Sequence, residues 1–362
     1  MEHVAIDLGG RESQICIRDA TGQVVHEGRY ATVDLERVLA GRGPSRVVME
    51  TCAESYAVAA AAQRAGHEVR VVPGTLVRTL GVGARRLKTD RRDAQVLSEV
   101  SSRIDLPTVH LRSVRSRERK TLCSMRQALV RSRTQMVNTV RGYLRLQLVR
   151  VRSGSVESFT ERVREALLGT SEGIPAYVER QLAVIETLSE QIRSANEEIA
   201  QQAEQDEVCQ RLMSVPGIGP VTALRFVATL DTPERFADAH RVGSYVGLVP
   251  SERSSSERQR RGGITKAGQG EMRWLLVQAA WSLWRTRPGE PIVQWARRVA
   301  ERRGRPVAIV ALARKLGGIL YVLWRDSTTY DPLRAARRAE NKTVSTPQQP
   351  APRRRPQRQR PD

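Results

Sequence analysis

The sequence predicts an α/β domain at its N-terminal end and a mainly helical remainder. Three observations carry that prediction. Short β-branched runs alternate with an alanine-rich stretch across residues 1–108, a long apolar repeat of helical spacing starts near residue 110, and helical patterning continues from about 177 to 335.

Strand-like runs fall at residues 3–9, 14–18, 23–26, 46–50 and 68–72, with a helix expected at about 53–65 between the last two. Asp19-Ala20-Thr21-Gly22 is a turn signal joining two short strands. Three meandering strands, then alternating helix and strand, with an acid on the first strand, make a ribonuclease-H-like pattern. Residues 1–108 are therefore expected to form one domain.

From about 110 to 152, Leu122, Leu129, Met136 and Tyr143 recur every seven residues, with Val130, Val137 and Leu144 beside them. This spacing predicts a long helix with a coiled-coil-like seam. Residues 153–175 read as an irregular link or a helix pair. A second helix, about 177–206, presents Val178, Leu182, Ile185, Ile192 and Ile199 for pairing with the first, or with a copy from another subunit. Such seams favour a homo-oligomer. Residues 109–206 thus form a basic coiled-coil segment, 207–335 a compact helical domain, and 336–362 a disordered basic tail of Pro, Gln and Arg.

Charge narrows the function. The 362 residues hold 60 Lys and Arg against 39 Asp and Glu, a net charge of +21 and a pI near 11.0. The segment 341–362 carries six basic groups and one acid, so the rest of the chain keeps +16. That excess points to nucleic acid rather than to an acidic metabolite. Residues 112–152 alone carry twelve Arg or Lys and the single acid Glu118, which suggests a helix lying along a phosphate backbone, with Arg131 and Arg133 among its contacts. Cys16, Cys52, Cys123 and Cys209 are far apart with no CxxC spacing, which argues against a zinc site and suits a reducing compartment. No signal peptide and no apolar stretch of about 18 residues is evident, so no membrane is expected. A cytoplasmic protein, nucleoid-associated when acting, is the expectation.

Four acids carry the chemistry. Val4-Ala5-Ile6-Asp7 and Val47-Val48-Met49-Glu50 are apolar strands that each end on a carboxylate. Lys88-Thr89-Asp90-Arg91-Arg92-Asp93 opens a helix with two acids three residues apart, hence on one face. Taken singly, Asp90 suits an N-cap and Asp7 a turn. Taken together in a basic protein, Asp7, Glu50, Asp90 and Asp93 suit Mg²⁺ or Mn²⁺, the hard ions used in two-metal phosphoryl chemistry.

Two further segments bear on nucleic acid. Val215-Pro216-Gly217-Ile218-Gly219-Pro220 reads as a helix-hairpin-helix turn, in which Gly217 and Gly219 let the backbone approach a phosphate; a plain helix–helix corner reads the same way. Gly247-Leu248-Val249-Pro250 precedes the cluster Ser254-Ser255-Ser256, then Arg258, Arg260, Arg261 and Lys266. This is either a disordered loop or a serine nucleophile in an electropositive setting.

Read together over roughly residues 3–330, these motifs, with Ile264-Thr265-Lys266-Ala267-Gly268, resemble the DEDD-type insertion-sequence transposases, the RNA-guided bridge recombinases. The resemblance implies a RuvC-like domain, a coiled coil and a helical transposase domain that form a composite site on a multimer, a dimer or tetramer. It implies that Asp7, Glu50, Asp90 and Asp93 bind the metal and that Ser255 is the nucleophile. Donor and target DNA, paired by a structured guide RNA, would be the partners. One departure stands out, since Ser256 occupies the place where relatives carry glycine, and Ser254 or Ser256 offers a substitute nucleophile. The alternatives are a water-using, junction-resolvase-like nuclease and a non-catalytic nucleic-acid scaffold.

Overall fold

A computed structural model describes residues 1–79, 89–168, 173–252 and 261–333, and the chain divides into two compact units, Met1–Arg112 and Ser113 onward. The segment 336–362, with its expected tail, lies outside the described residues.

The first unit is built on a five-stranded sheet: β1 (His3–Asp7), β2 (Glu12–Arg18), β3 (Val24–Ala31), β4 (Arg46–Glu50) and β5 (Glu68–Val72). Their order is β3-β2-β1-β4-β5; β1 to β3 run antiparallel, and β4 and β5 run parallel to β1. This is the meander followed by crossovers that the sequence pattern predicts. Alternation sorts the side chains to two faces. Val4, Ile6, Val47 and Met49 pack under α1 (Leu35–Ala40) and α2 (Ser55–Arg64), with Leu39 and Ala59. On the other face, Ala5, Val48 and Val72 meet Val77 of α3 (Gly74–Thr79) and Leu97 of α4 (Asp90–Arg103).

The second unit is almost wholly helical: α5 (Val114–Leu146), α6 (Phe159–Leu168), α7 (Ala176–Glu204), α8 (Glu207–Met213), α9 (Pro220–Leu230), α10 (Ala239–Tyr245), α11 (Gly270–Thr286), α12 (Pro291–Arg303) and α13 (Arg305–Arg325). A hairpin of β6 (Pro250–Glu252) and β7 (Arg261–Ile264) interrupts it. Among the described residues of 153–175 there is one helix, α6.

Helices α5 and α7 pack antiparallel within the chain. Val137, Val140 and Leu144 meet Val178, Leu182 and Ile185, and Arg126 donates to Asn196 at 2.9 Å. The seam therefore has a partner already, and it no longer argues for an oligomer. It also sits one residue from the expected stripe: Leu122, Leu129, Met136 and Tyr143 are half-buried, whereas Ser116, Arg119, Cys123, Val137, Val140 and Leu144 are buried. Ile199, Ala203 and Cys123 join the core of α8 to α13, so the chain does not divide at the boundary expected near 206.

Helix α13 corrects one expectation. By length and composition it is apolar enough to cross a membrane. Yet it is the central core helix of this unit, with Leu312, Leu316, Leu320 and Tyr321 buried and the Tyr321 hydroxyl donating to the Phe236 carbonyl at 2.5 Å.

A buried ion pair ties the start of α5 to α8. Arg119 meets Asp206 at 2.7 Å with each side chain 8% exposed, and Asp206 caps α8 by accepting from the Cys209 amide. Burial pushes the Asp206 carboxyl up, but the Cys209 amide and Arg119 outweigh it and hold it below the usual range. Asp206→Asn strands a buried guanidinium and should cost about 3–5 kcal/mol, read as a lowered urea midpoint. A depressed folded pKa stabilises above the unfolded value, about 3.9 for Asp, and that stability is lost as pH falls through the folded one. The wild type should therefore lose stability on acidification below about pH 4, and the variant should lack that component.

Candidate active site and nucleic-acid interface

Asp7 and Glu50 stand side by side because β1 and β4 are parallel neighbours in register, Ile6 opposite Met49, and each strand ends one residue later on its acid. Alternation puts both on the face of Ala5 and Val48, the face that α4 covers. The Glu50 carboxylate fills the space a side chain at Gly74 would occupy, so glycine there leaves it room.

Helix α4 brings the other two acids. Thr89, not Asp90, is its N-cap, accepting from the Arg92 amide at 3.4 Å. Asp90 is left exposed on the first turn, and Asp93 follows on the sheet-facing side, 6% exposed. The helix is fixed to the sheet by polar contacts. Arg91 and Gln95 both donate to Glu27 of β3, Arg91 Nε at 2.9 Å, and together hold its carboxyl below the usual range. Arg18 Nε donates to Ser98 at 3.0 Å, and His3 bonds Ser101 at 3.1 Å. Arg91 is thus engaged by an acid.

Among the described residues, no three His, Cys, Asp or Glu side chains stand close enough to hold one ion. Asp93 Oδ1 is nevertheless buried without a hydrogen-bond partner, under α4 on the face of the sheet where Asp7 and Glu50 end. Buried carboxylate oxygens normally have one.

In the second unit, the motif Gly247-Leu248-Val249-Pro250 and the motif Lys266-Ala267-Gly268 turn out to be the two sides of one clamp. Gly247 (φ 70°) and Gly268 (φ 72°) both take left-handed conformations, and a Cβ on either would overlap backbone, Ala267 O for Gly247 and Tyr245 O for Gly268. The Thr265 amide donates to Val249 O at 2.9 Å, and Arg273 donates to Val246 O and Ala267 O at 2.9 and 3.1 Å. From this clamp the hairpin β6–β7 emerges. Ser254, Ser255, Ser256, Arg258 and Arg260 lie outside the described residues, as does the Arg261 side chain. Lys266 is exposed with φ 54°, a strained backbone for a non-glycine residue.

The glycine turn joins α8 to α9. Gly217 has φ 82°, and a Cβ there would meet Ala279 O of α11 at 3.4 Å, so its glycine serves helix packing. Gly219, at the N-cap of α9, faces open space.

The cations of α5 are largely engaged within the unit. Arg115 and Arg119 pair with Asp206, Arg131 with Glu271 at 3.1 Å, and Arg133, 11% exposed, donates to Ser189 at 3.2 Å and meets Glu157 at 3.5 Å. Arg225, buried on α9, donates to the Lys120 carbonyl and to Glu271. Other cations, on α11, α12 and the start of α13, are unpaired among the described residues. Arg285, Arg287, Arg297, Arg298, Arg302, Arg303 and Arg305 are all exposed, and among the described residues none forms an ion pair. Arg298 and Arg302 are four apart, opposite the buried Ile292, Val293 and Ala296. Arg297 stacks over Trp284 at 5.4 Å. The run Arg297-Arg298-Val299-Ala300-Glu301-Arg302-Arg303-Gly304-Arg305 is its signal in the sequence, shorter than the charge run of α5.

Comparison with known proteins agrees with these motifs. Residues 4–148, which hold all four acids, match the model of the IS110-type DEDD transposase domain, described as a transposase. Residues 209–291, which hold the glycine turn and the hairpin, match the IS116/IS110/IS902 transposase family. The chain is 28% identical over 340 residues to a transposase for insertion sequence element IS1111A of Coxiella burnetii, covering 90% of each chain. It is 27% identical over 336 residues to a transposase for IS1328 of Yersinia enterocolitica, covering 90% of this chain and 98% of that one. A probable family 20 transposase of Pseudomonas aeruginosa is 28% identical over 340 residues, covering 92% and 99%.

The orphan oxygen of Asp93 yields a stability test. In chelator, Asp93→Asn should melt no lower than wild type, because it removes a buried charge lacking a full set of partners. A clear drop in melting temperature would mean that the carboxylate holds the fold together instead.

Proposed function

Because the chain belongs to the IS110/IS116/IS902 family of insertion-sequence transposases, which catalyse DNA cleavage and strand transfer, we propose that it recombines DNA through a covalent serine intermediate. Asp7, Glu50, Asp90 and Asp93 are the residues that would hold Mg²⁺ or Mn²⁺. Such ions, when bound, offset charge on the attacking and leaving oxygens. The observation that carries this part of the reading is the orphan, buried Asp93 Oδ1 on the face of the sheet where Asp7 and Glu50 end.

Ser255 is the proposed nucleophile, on the resemblance of its motif. Its Oγ–P bond would form as one P–O bond of the DNA strand breaks, the serine hydroxyl giving its proton to solvent and the leaving strand oxygen taking one up to become a hydroxyl. The phosphodiester energy is kept in the adduct, so a second strand's hydroxyl can displace serine and rejoin. The rigid clamp at Gly247 and Gly268 supports this role, since a nucleophile must be held near its target. Arg258, Arg260, Arg261 and Lys266 supply positive charge beside it in the sequence.

Donor and target DNA are the proposed substrates, with an element-encoded guide RNA and a homo-oligomeric enzyme following from the resemblance. The exposed arginines of α11, α12 and the start of α13 are the favoured phosphate track, ahead of Arg131 and Arg133, because among the described residues they form no ion pair that DNA must first displace. Gly219, at an open helix N-terminus, suits a phosphate better than Gly217.

The test is a denaturing gel with Mg²⁺, labelled element-junction DNA and RNA transcribed from the element's flank. Label should migrate with wild-type protein and not with Ser255→Ala. Cleavage without any adduct would instead establish a water-using nuclease. No reaction, with tight RNA binding, would leave a scaffold.

A further inference from the structure

Of the five tryptophans, Trp281, Trp284, Trp295 and Trp324 pack against the helical core, and Trp274 does not. Trp274 is 46% exposed, on the wall of an open groove of about 860 Å³ between α5 and α11. The Arg131–Glu271 pair bridges the two walls at 3.1 Å. Val130 and Trp274 are the apolar side chains along the groove, and the others are carboxamides, hydroxyls and this ion pair. The hydroxyls are engaged by their own helix, Thr134 donating to Val130 O and Thr139 to Gln135 O. The carboxamides of Gln127, Gln135 and Asn138 are not, and among the described residues they bond nothing. Gln127 and Gln135 lie one helical turn to either side of Arg131, across from Trp274.

The face of α11 continues the pattern. Glu271, Trp274, Gln278, Trp281 and Arg285 recur at alternating spacings of three and four residues, so they share one side of the helix. Gln278 and Arg285 are exposed, and Trp281 is half-buried. A series of ring, amide, ring and cation fits an unpaired nucleic-acid strand. Bases stack on the rings, amides meet the exposed base edges, and the cation meets phosphate. A partner helix would instead need an apolar seam to dock against, which this groove lacks. A duplex fits no better, since its bases are already stacked on one another. The net charge of +21, and the exposed Arg285 and Arg287 at the end of α11, favour a polyanion as the occupant.

We propose that Trp274 stacks an unpaired base of single-stranded DNA, with the carboxamides across the groove on base edges and Arg285 on the strand's phosphate. This rests on the DNA-recombining reading above, since cutting and exchanging strands leaves bases unpaired. It assigns a binding site apart from the acids and the serine.

The experiment measures how wild type, Trp274→Ala, Trp274→Phe and Arg285→Gln bind a short labelled DNA single strand, the same sequence as RNA, and the matching DNA duplex. Melting temperature and sedimentation are followed alongside. Trp274→Ala should weaken single-strand DNA binding about 5- to 150-fold, the loss of one stacked base. Its duplex affinity and its salt slope should match wild type, because no phosphate contact has gone. Trp274→Phe should recover most of the lost affinity, since a ring still stacks. Arg285→Gln should flatten the single-strand salt slope by about 0.7, one phosphate contact. If Trp274→Ala melts lower than wild type, Gln135→Ala, exposed on α5, carries the test, and the same selective loss on single strands is expected. Equal single-strand affinity in wild type and variant overturns the proposal, as does an equal loss on the duplex. A loss confined to RNA overturns it by assigning the groove to RNA. A Trp274→Ala protein that keeps its single-strand affinity but sediments as a smaller species overturns it by making the ring a protein contact. If wild type itself binds neither strand nor duplex, the transposase reading falls, and this proposal with it.

Discussion

Helix α4 rests on the sheet because Arg91 and Gln95 bond Glu27, Ser98 accepts from Arg18, and Ser101 meets His3. Those contacts fix the rotation of the helix, and the rotation decides where its acids lie. With Ala94 and Leu97 turned into the sheet, Asp93 must be buried as well, one turn after the exposed Asp90. The parallel pairing of β1 and β4 does the same for Asp7 and Glu50. Packing of ordinary residues therefore assembles a carboxylate face, and the absence of a partner for Asp93 Oδ1 is the consequence.

The second unit holds two groups of cations, those that meet acids and build the fold and those that form no ion pair among the described residues. The Arg119–Asp206 and Arg225–Glu271 pairs join α5, α8, α9 and α11 into one body. The exposed arginines of α12 stand outside that set. Net charge alone does not reveal this division, since both groups count equally towards +21.

Much of the first unit was legible in the sequence. Runs such as Val4-Ala5-Ile6 and Val47-Val48-Met49 are short, β-branched and bounded by turn residues, so strand positions and their acidic ends follow from local chemistry. The α5 seam was not legible, for a physical reason. Arg119, Arg126 and Arg133 occupy seam positions, and their partners Asp206, Asn196 and Ser189 are far away in sequence. An apolar pattern search therefore settles on the neighbouring stripe of Leu122, Leu129, Met136 and Tyr143.

The most direct measurement of the central claim, that the acids of the first unit hold a divalent ion through Asp93, is a Mn²⁺ titration of wild type and Asp93→Asn by calorimetry. Saturable binding by wild type, weakened at least about tenfold by the substitution, is the predicted result. Equal affinity in the two proteins, or no saturable binding to either, would contradict it.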